Sequence, residues 1–226
     1  MPAPVVLIHD LRGSANHWAD ATASLSAIGH TVIAPDLPGH GFRSADPLTL
    51  ETILDTIDTA TLEASSAPIV VGVGVGAHLT IASVARSGNA RAVVAIGCGT
   101  EPLSWLLDSY RISSAAMQLL PDGGSSVNEW AGRTFAGAGT PEFRAVVGKI
   151  SQLDVRQSLR VLGVPVALIN GSRDRFRMQE RAFTKAAHDG RLVRVAGVAN
   201  AGSPATVQAL VETIRSISGS SSDEIA

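Results

Sequence analysis

Short apolar runs alternate with stretches of helical spacing along most of the chain. Pro4 to His9 (P-V-V-L-I-H), Thr31 to Ala34, Pro68 to Val73, Arg91 to Ile96, Val164 to Ile169 and Leu192 to Ala196 have the length and composition of strands buried on both faces. Between them, apolar residues recur at helical intervals. Trp18, Leu25 and Ile28 form one set, and Leu50, Ile53, Leu54, Ile57 and Leu62 a second. Ala77 to Arg86 and Gln179 to His188 are two more helical stretches. Gly29 and Gly88 stand where helix-ending glycines belong. Ser203-Pro204 offers a capping serine with proline at the first helical position, opening a last helix to about Ile217. The alternation predicts an α/β domain: a mostly parallel sheet of about six strands with helices on both faces.

Glu101 to about Leu162 breaks the alternation. It lacks a strand run and carries glycine-rich breaks at Asp122 to Ser126 and Gly137 to Thr140. It reads as a small helical cap over residues 101–162, inserted into a core formed by residues 1–100 and 163–217. Residues 218–226 are Ser/Gly-rich and then acidic, the composition of a disordered tail.

Composition narrows the function classes. The 226 residues are 45% hydrophobic and 17% charged, with a net charge of −2. That suits one globular domain with a sizeable core and gives no basic footprint for nucleic acid or anionic membrane. The single cysteine, Cys98, excludes an internal disulfide framework. No apolar run is long enough to cross a bilayer, and the first residues lack a signal-peptide pattern. A soluble, cytoplasmic protein is expected. No His/Cys cluster has metal-ligand spacing, and no cofactor is expected.

Ligands of parallel sheets bind beyond the carboxyl ends of the strands. The loops after His9, Ala34, Val73, Ile96, Ile169 and Ala196 therefore hold the candidate chemistry. The most distinctive stretch is Ile69 to Leu79, I-V-V-G-V-G-V-G-A-H-L: a strand, a tight glycine turn and a helix start. Gly72, Gly74 and Ala77 satisfy the dinucleotide pattern G-x-G-x-x-A. Two strand–helix units precede them, however, and the next strand ends at Gly97-Cys98-Gly99 without the acidic residue such a site needs.

Read in order, the loops resemble the α/β-hydrolase superfamily. Leu7-Ile8-His9-Asp10-Leu11-Arg12-Gly13-Ser14, followed by Trp18, is similar to its L-H-G-x-x-G-S…W segment. Asp36-Leu37-Pro38-Gly39-His40-Gly41 is close to its D-L-P-G-H-G segment. Gly72-Val73-Gly74-Val75-Gly76 resembles the G-x-S-x-G nucleophile elbow. Pro165 to Asp174 resembles the strand and loop carrying the acid, and Gly197-Val198-Ala199-Asn200 the final G-x-G-H loop. The resemblance implies an α/β-hydrolase fold and assigns triad-equivalent positions to Gly74, Asp174 and Asn200. It also implies that the backbone amides of Leu11 and Val75 form the oxyanion hole.

Two of the three triad positions lack the chemistry. Glycine has no nucleophile, and an amide cannot act as a base near neutral pH. The elbow string also resembles that of the N-myc downstream-regulated (NDRG) family, whose members are regarded as non-enzymatic. The implied reading is a pseudoenzyme that binds a small apolar or carboxylate ligand or a protein partner, with Leu11, Val75, His9, Asp10, Cys98 and Trp105 lining the pocket. Trp105 belongs to the cap, where Leu106, Leu107, Tyr110 and Trp130 suit a pocket roof or a plain cap core equally. The alternative is a lyase, isomerase or cyclase using His9 and Asp174 as a displaced acid–base pair. A weak hydrolase using Ser14 is the least supported, since no histidine is placed to activate it. His9 and His40 match turn positions of the family that hold loops together, and His78, in the first turn of the elbow helix, reads as structural.

Overall fold

Each apolar run becomes a strand of one sheet. The computed structural model describes residues 2–102, 141–174, 177–198 and 203–219. Among them the strands are β1 Val5–Ile8, β2 Val32–Ile33, β3 Ile69–Val73, β4 Ala92–Ile96, β5 Val166–Gly171 and β6 Gly190–Val195. They form a six-stranded sheet in the order β2-β1-β3-β4-β5-β6. Every neighbouring pair is parallel. β1, β3, β4 and β5 are buried along their whole length, because helices cover both faces.

Seven α-helices accompany the strands among the described residues: α1 Ala19–Ala27, α2 Leu50–Leu62, α3 Val75–Ser87, α4 Pro141–Ile150, α5 Val155–Val161, α6 Glu180–Ala186 and α7 Pro204–Gly219. One face of the sheet packs on α1 and α7 through Trp18, Ala21, Leu25, Leu210 and Ile214. The other packs on α2, α3, α5 and α6, where Ile53, Ile57, Ile81, Leu159 and Phe183 join Ile8, Val70 and Leu168. The alternation of side chains along each strand produces this division: Val6 and Ile8 face one layer, Val5 and Leu7 the other.

Several boundaries moved for local reasons. β2 keeps only Val32 and Ile33, since it lies at the sheet edge and Pro35 follows. α3 starts at Val75, directly on the elbow turn, and ends at Gly88 in the left-handed conformation (φ 68°). α1 is preceded by a 3₁₀ turn, Ala15–Trp18. α7 runs on to Gly219. Trp105, Leu106, Leu107, Tyr110, Trp130, most of the expected cap, Asn200 and residues 220–226 lie outside the described residues. No described helix is long and apolar enough to cross a membrane.

Candidate functional site

The elbow is built by close approach of backbones. A Cβ on Gly76 would come within 2.3 Å of the His9 carbonyl oxygen, and one on Gly72 within 2.6 Å of the Ala77 Cα. Neither position has room for a side chain, so β3, α3 and the end of β1 lock together. Gly74 sits between them with φ 58° and ψ −124°. An L-residue holds that conformation only under strain.

The space above Gly74 is filled by Asp10. The Val75 backbone N–H donates to Asp10 Oδ1 at 3.0 Å. A Cβ on Gly74 would lie 2.8 Å from the same oxygen. A carboxylate at the first amide of a 13-residue helix also complements the helix dipole. Arg12 Nε donates to Asp10 Oδ2 at 3.1 Å, and the Asp10 side chain is 13% exposed. The loop after β1 thus supplies an anion to the amide that the sequence assigned to an oxyanion hole.

His9 is wholly buried beneath this arrangement. Its Nε2 accepts from the Leu37 N–H at 3.0 Å, so its Nδ1 carries the proton and donates to the Asp10 carbonyl at 2.8 Å. Burial lowers its pKa from 6.5 to about 4, against the raising effect of that carbonyl. His40 links the β1 and β2 loops, its ring nitrogens 2.9 Å from the carbonyl oxygens of Leu11 and Pro38. The Asp36 carboxylate accepts from the N–H groups of Ala15 (2.7 Å) and Phe42 (2.9 Å). Leu11 is buried between these loops. His78 is buried in α3, with Nε2 2.8 Å from the Thr100 carbonyl oxygen, and burial lowers its pKa.

The remaining candidates lie elsewhere. Cys98 is fully buried in the core, its thiol pKa raised by burial, and its N–H donates to Asn170 Oδ1 at 3.2 Å. Asp174 follows β5, with its N–H donating to the Gly171 carbonyl at 3.0 Å. It lines a cleft with Arg177, Glu180 and Arg194, and no residue of the elbow or of the β1 loop belongs to that lining. The structure gathers His9, Asp10, Gly74 and Val75 in one place. Among the described residues no group of His, Cys, Asp or Glu could hold a metal ion.

Asp10 and Glu180 carry little signal in the sequence. The sequence places Asp10 among the pocket residues, and the structure makes it the internal partner of Val75. The available signal was its place in the resembling segment, where L-H-G has glycine and this chain has aspartate. Glu180, 4% exposed and bonded to both Arg177 and Arg194, had no signal beyond its position on a helical stripe.

A model of the alpha/beta hydrolase family matches residues 5–213. The chain belongs to this family. No curated protein matches it significantly. Solved structures superpose over nearly its whole length. NosK from Streptomyces actuosus has 18% identity and a TM-score of 0.74, covering 98% of this chain and 100% of its own. The enol-lactonase from Burkholderia xenovorans LB400 has 20% identity and a TM-score of 0.72, covering 96% and 92%. A structure from work on carboxylesterases of Nitrososphaera gargenis has 17% identity and a TM-score of 0.75, covering 97% and 92%. At these identities the likeness concerns the fold.

Proposed function

We propose that this alpha/beta hydrolase relative is not a serine hydrolase and keeps the fold to bind a small ligand or a protein partner. In this reading Gly74 stands at the nucleophile's position, Asn200 at the base's and Asp174 at the acid's. The carrying observation is the Asp10 carboxylate on the Val75 amide, in the volume a side chain at position 74 would need. Acyl transfer requires that amide to receive negative charge developing on the substrate oxygen. A full negative charge already there opposes a second one. The same repulsion disfavours a carboxylate ligand at the elbow and favours an apolar one.

An acid–base enzyme, such as a lyase, isomerase or cyclase, is the second reading. It now rests on Asp10, which is partly exposed, since both nitrogens of His9 are engaged inside the fold. Labelling with a fluorophosphonate probe and turnover of p-nitrophenyl acetate test the main reading. Neither should exceed the blank. Stoichiometric labelling at any serine would overturn it. Native mass spectrometry of the purified protein would then look for a retained small molecule.

A further inference from the structure

A second site is built where α6 crosses the carboxyl ends of β5 and β6. The register sets Asn170 of β5 beside Arg194 of β6. Side chains two apart on a strand share a face, so these residues continue the rows begun by Leu168 and Leu192. Both leucines pack in the core with Phe183 and Ala187. The same stripe runs from Ala187, just past the end of α6, back through Phe183 to Glu180. Glu180 is thereby carried past the apolar contacts to the level of Asn170 and Arg194.

The Glu180 carboxylate is 4% exposed and fully engaged. Asn170 Nδ2 donates to Oε2 at 3.2 Å. Arg194 donates to Oε1 through Nε at 2.8 Å and Nη2 at 2.7 Å, and Arg177 through Nη1 at 3.2 Å. One buried carboxylate so fixes the direction of two guanidinium groups without covering them, since their side chains remain 43% and 38% exposed. A guanidinium has five N–H donors, so each keeps donors beyond its bonds to Glu180.

Both arginines line a cleft of about 790 Å³, with Arg181 alongside. That size suits a small organic molecule. Among the described lining residues three arginines, Arg177, Arg181 and Arg194, stand against two acids, Asp174 and Glu180, an excess of one positive charge. Met178, 69% exposed, adds an apolar wall. We infer that this cleft binds a small organic oxyanion, a carboxylate or phosphate on an apolar body, through Arg194 and Arg177. Oriented planar donors suit both groups in the two-point manner that lysine cannot reproduce. The lining includes Asp174, the position proposed for the triad acid, but the site rests on Arg177, Arg194 and Glu180 and not on the reading of the elbow.

Titration of the wild-type protein with inorganic phosphate and, separately, with hexanoate tests this, followed through the arginine Nε–H resonances in NMR. Saturable shifts of Arg177 and Arg194 are expected with at least one of the two anions, and the anion that saturates identifies the head group. Arg194→Ala should weaken that binding about tenfold or more. Arg194→Lys retains a charge for Glu180 and guards against a folding defect, and should still weaken binding several-fold. The inference is overturned if neither anion saturates by about 10 mM. It is equally overturned if Arg194→Ala and Arg177→Ala both bind as tightly as wild type.

Discussion

At position 74 two constraints meet on one Cα: a backbone that only glycine adopts freely and a carboxylate pressing on the place of its Cβ. Gly74→Ser should destabilise the protein by about 1–3 kcal/mol from backbone strain alone, with a further steric cost from Asp10. Asp10→Gly in the same chain should remove the second part. A double-mutant cycle by urea unfolding should therefore give a coupling of about 0.5 kcal/mol or more. Additive effects would mean that the carboxylate swings clear without penalty. His9 gives a pH-dependent counterpart. Its pKa is 6.5 when unfolded and about 4 in the fold, so the unfolded chain binds more protons between those values. Stability rises with pH where that holds, so the His9 contribution is complete above about 6.5 and is lost as pH falls towards 4. The loss is about 3 kcal/mol, and His9→Gln should flatten that limb of the stability curve. None of this was legible residue by residue. His9 and Asp10 were singled out by their motif, but their partners, Leu37 and Val75, are assigned only by the tertiary fold.

At the scale of elements the sequence was far more informative. All six apolar runs became strands, because a parallel sheet covered on both faces demands continuous apolar stretches that few other structures share. Ends were less legible, since they depend on neighbours. β6 begins two residues before its apolar run because Gly190 pairs with Val166 and fits only as glycine, a Cβ there lying 2.0 Å from the Thr184 carbonyl oxygen. α2 is held at its start by Thr49, whose hydroxyl accepts from the Thr52 N–H at 3.1 Å while the Thr52 hydroxyl accepts from the Thr49 N–H. Thr49→Ala should cost about 1 kcal/mol in thermal or chemical unfolding. Substitution at the elbow should be harsher. Gly76→Ala forces a methyl group onto the His9 carbonyl oxygen, where backbone and not a pliable side chain must yield, and should cost about 3 kcal/mol.

For the whole molecule, family membership and sheet order follow from the same series of loops that the sequence displayed in order. The chemistry was less legible, because it turns on which charge occupies one amide. A restoration experiment puts that distinction to work. Under the proposed assignment, Gly74→Ser with Asn200→His would return the side chains of a triad while leaving Asp10 on Val75. That double variant should stay inert towards p-nitrophenyl acetate. Adding Asp10→Gly should raise hydrolysis above it, and equal rates would detach Asp10 from the elbow's chemistry. The strand order has its own consequence for biosynthesis. β4 lies in the middle of the sheet, yet its outer neighbour β5 follows the entire 101–162 segment. A nascent chain that has completed β1 to β4 carries an apolar, unpaired strand edge, Ala92 to Ile96, for the whole time that segment is being translated. Truncated products ending before Val166 should therefore be recovered as aggregates.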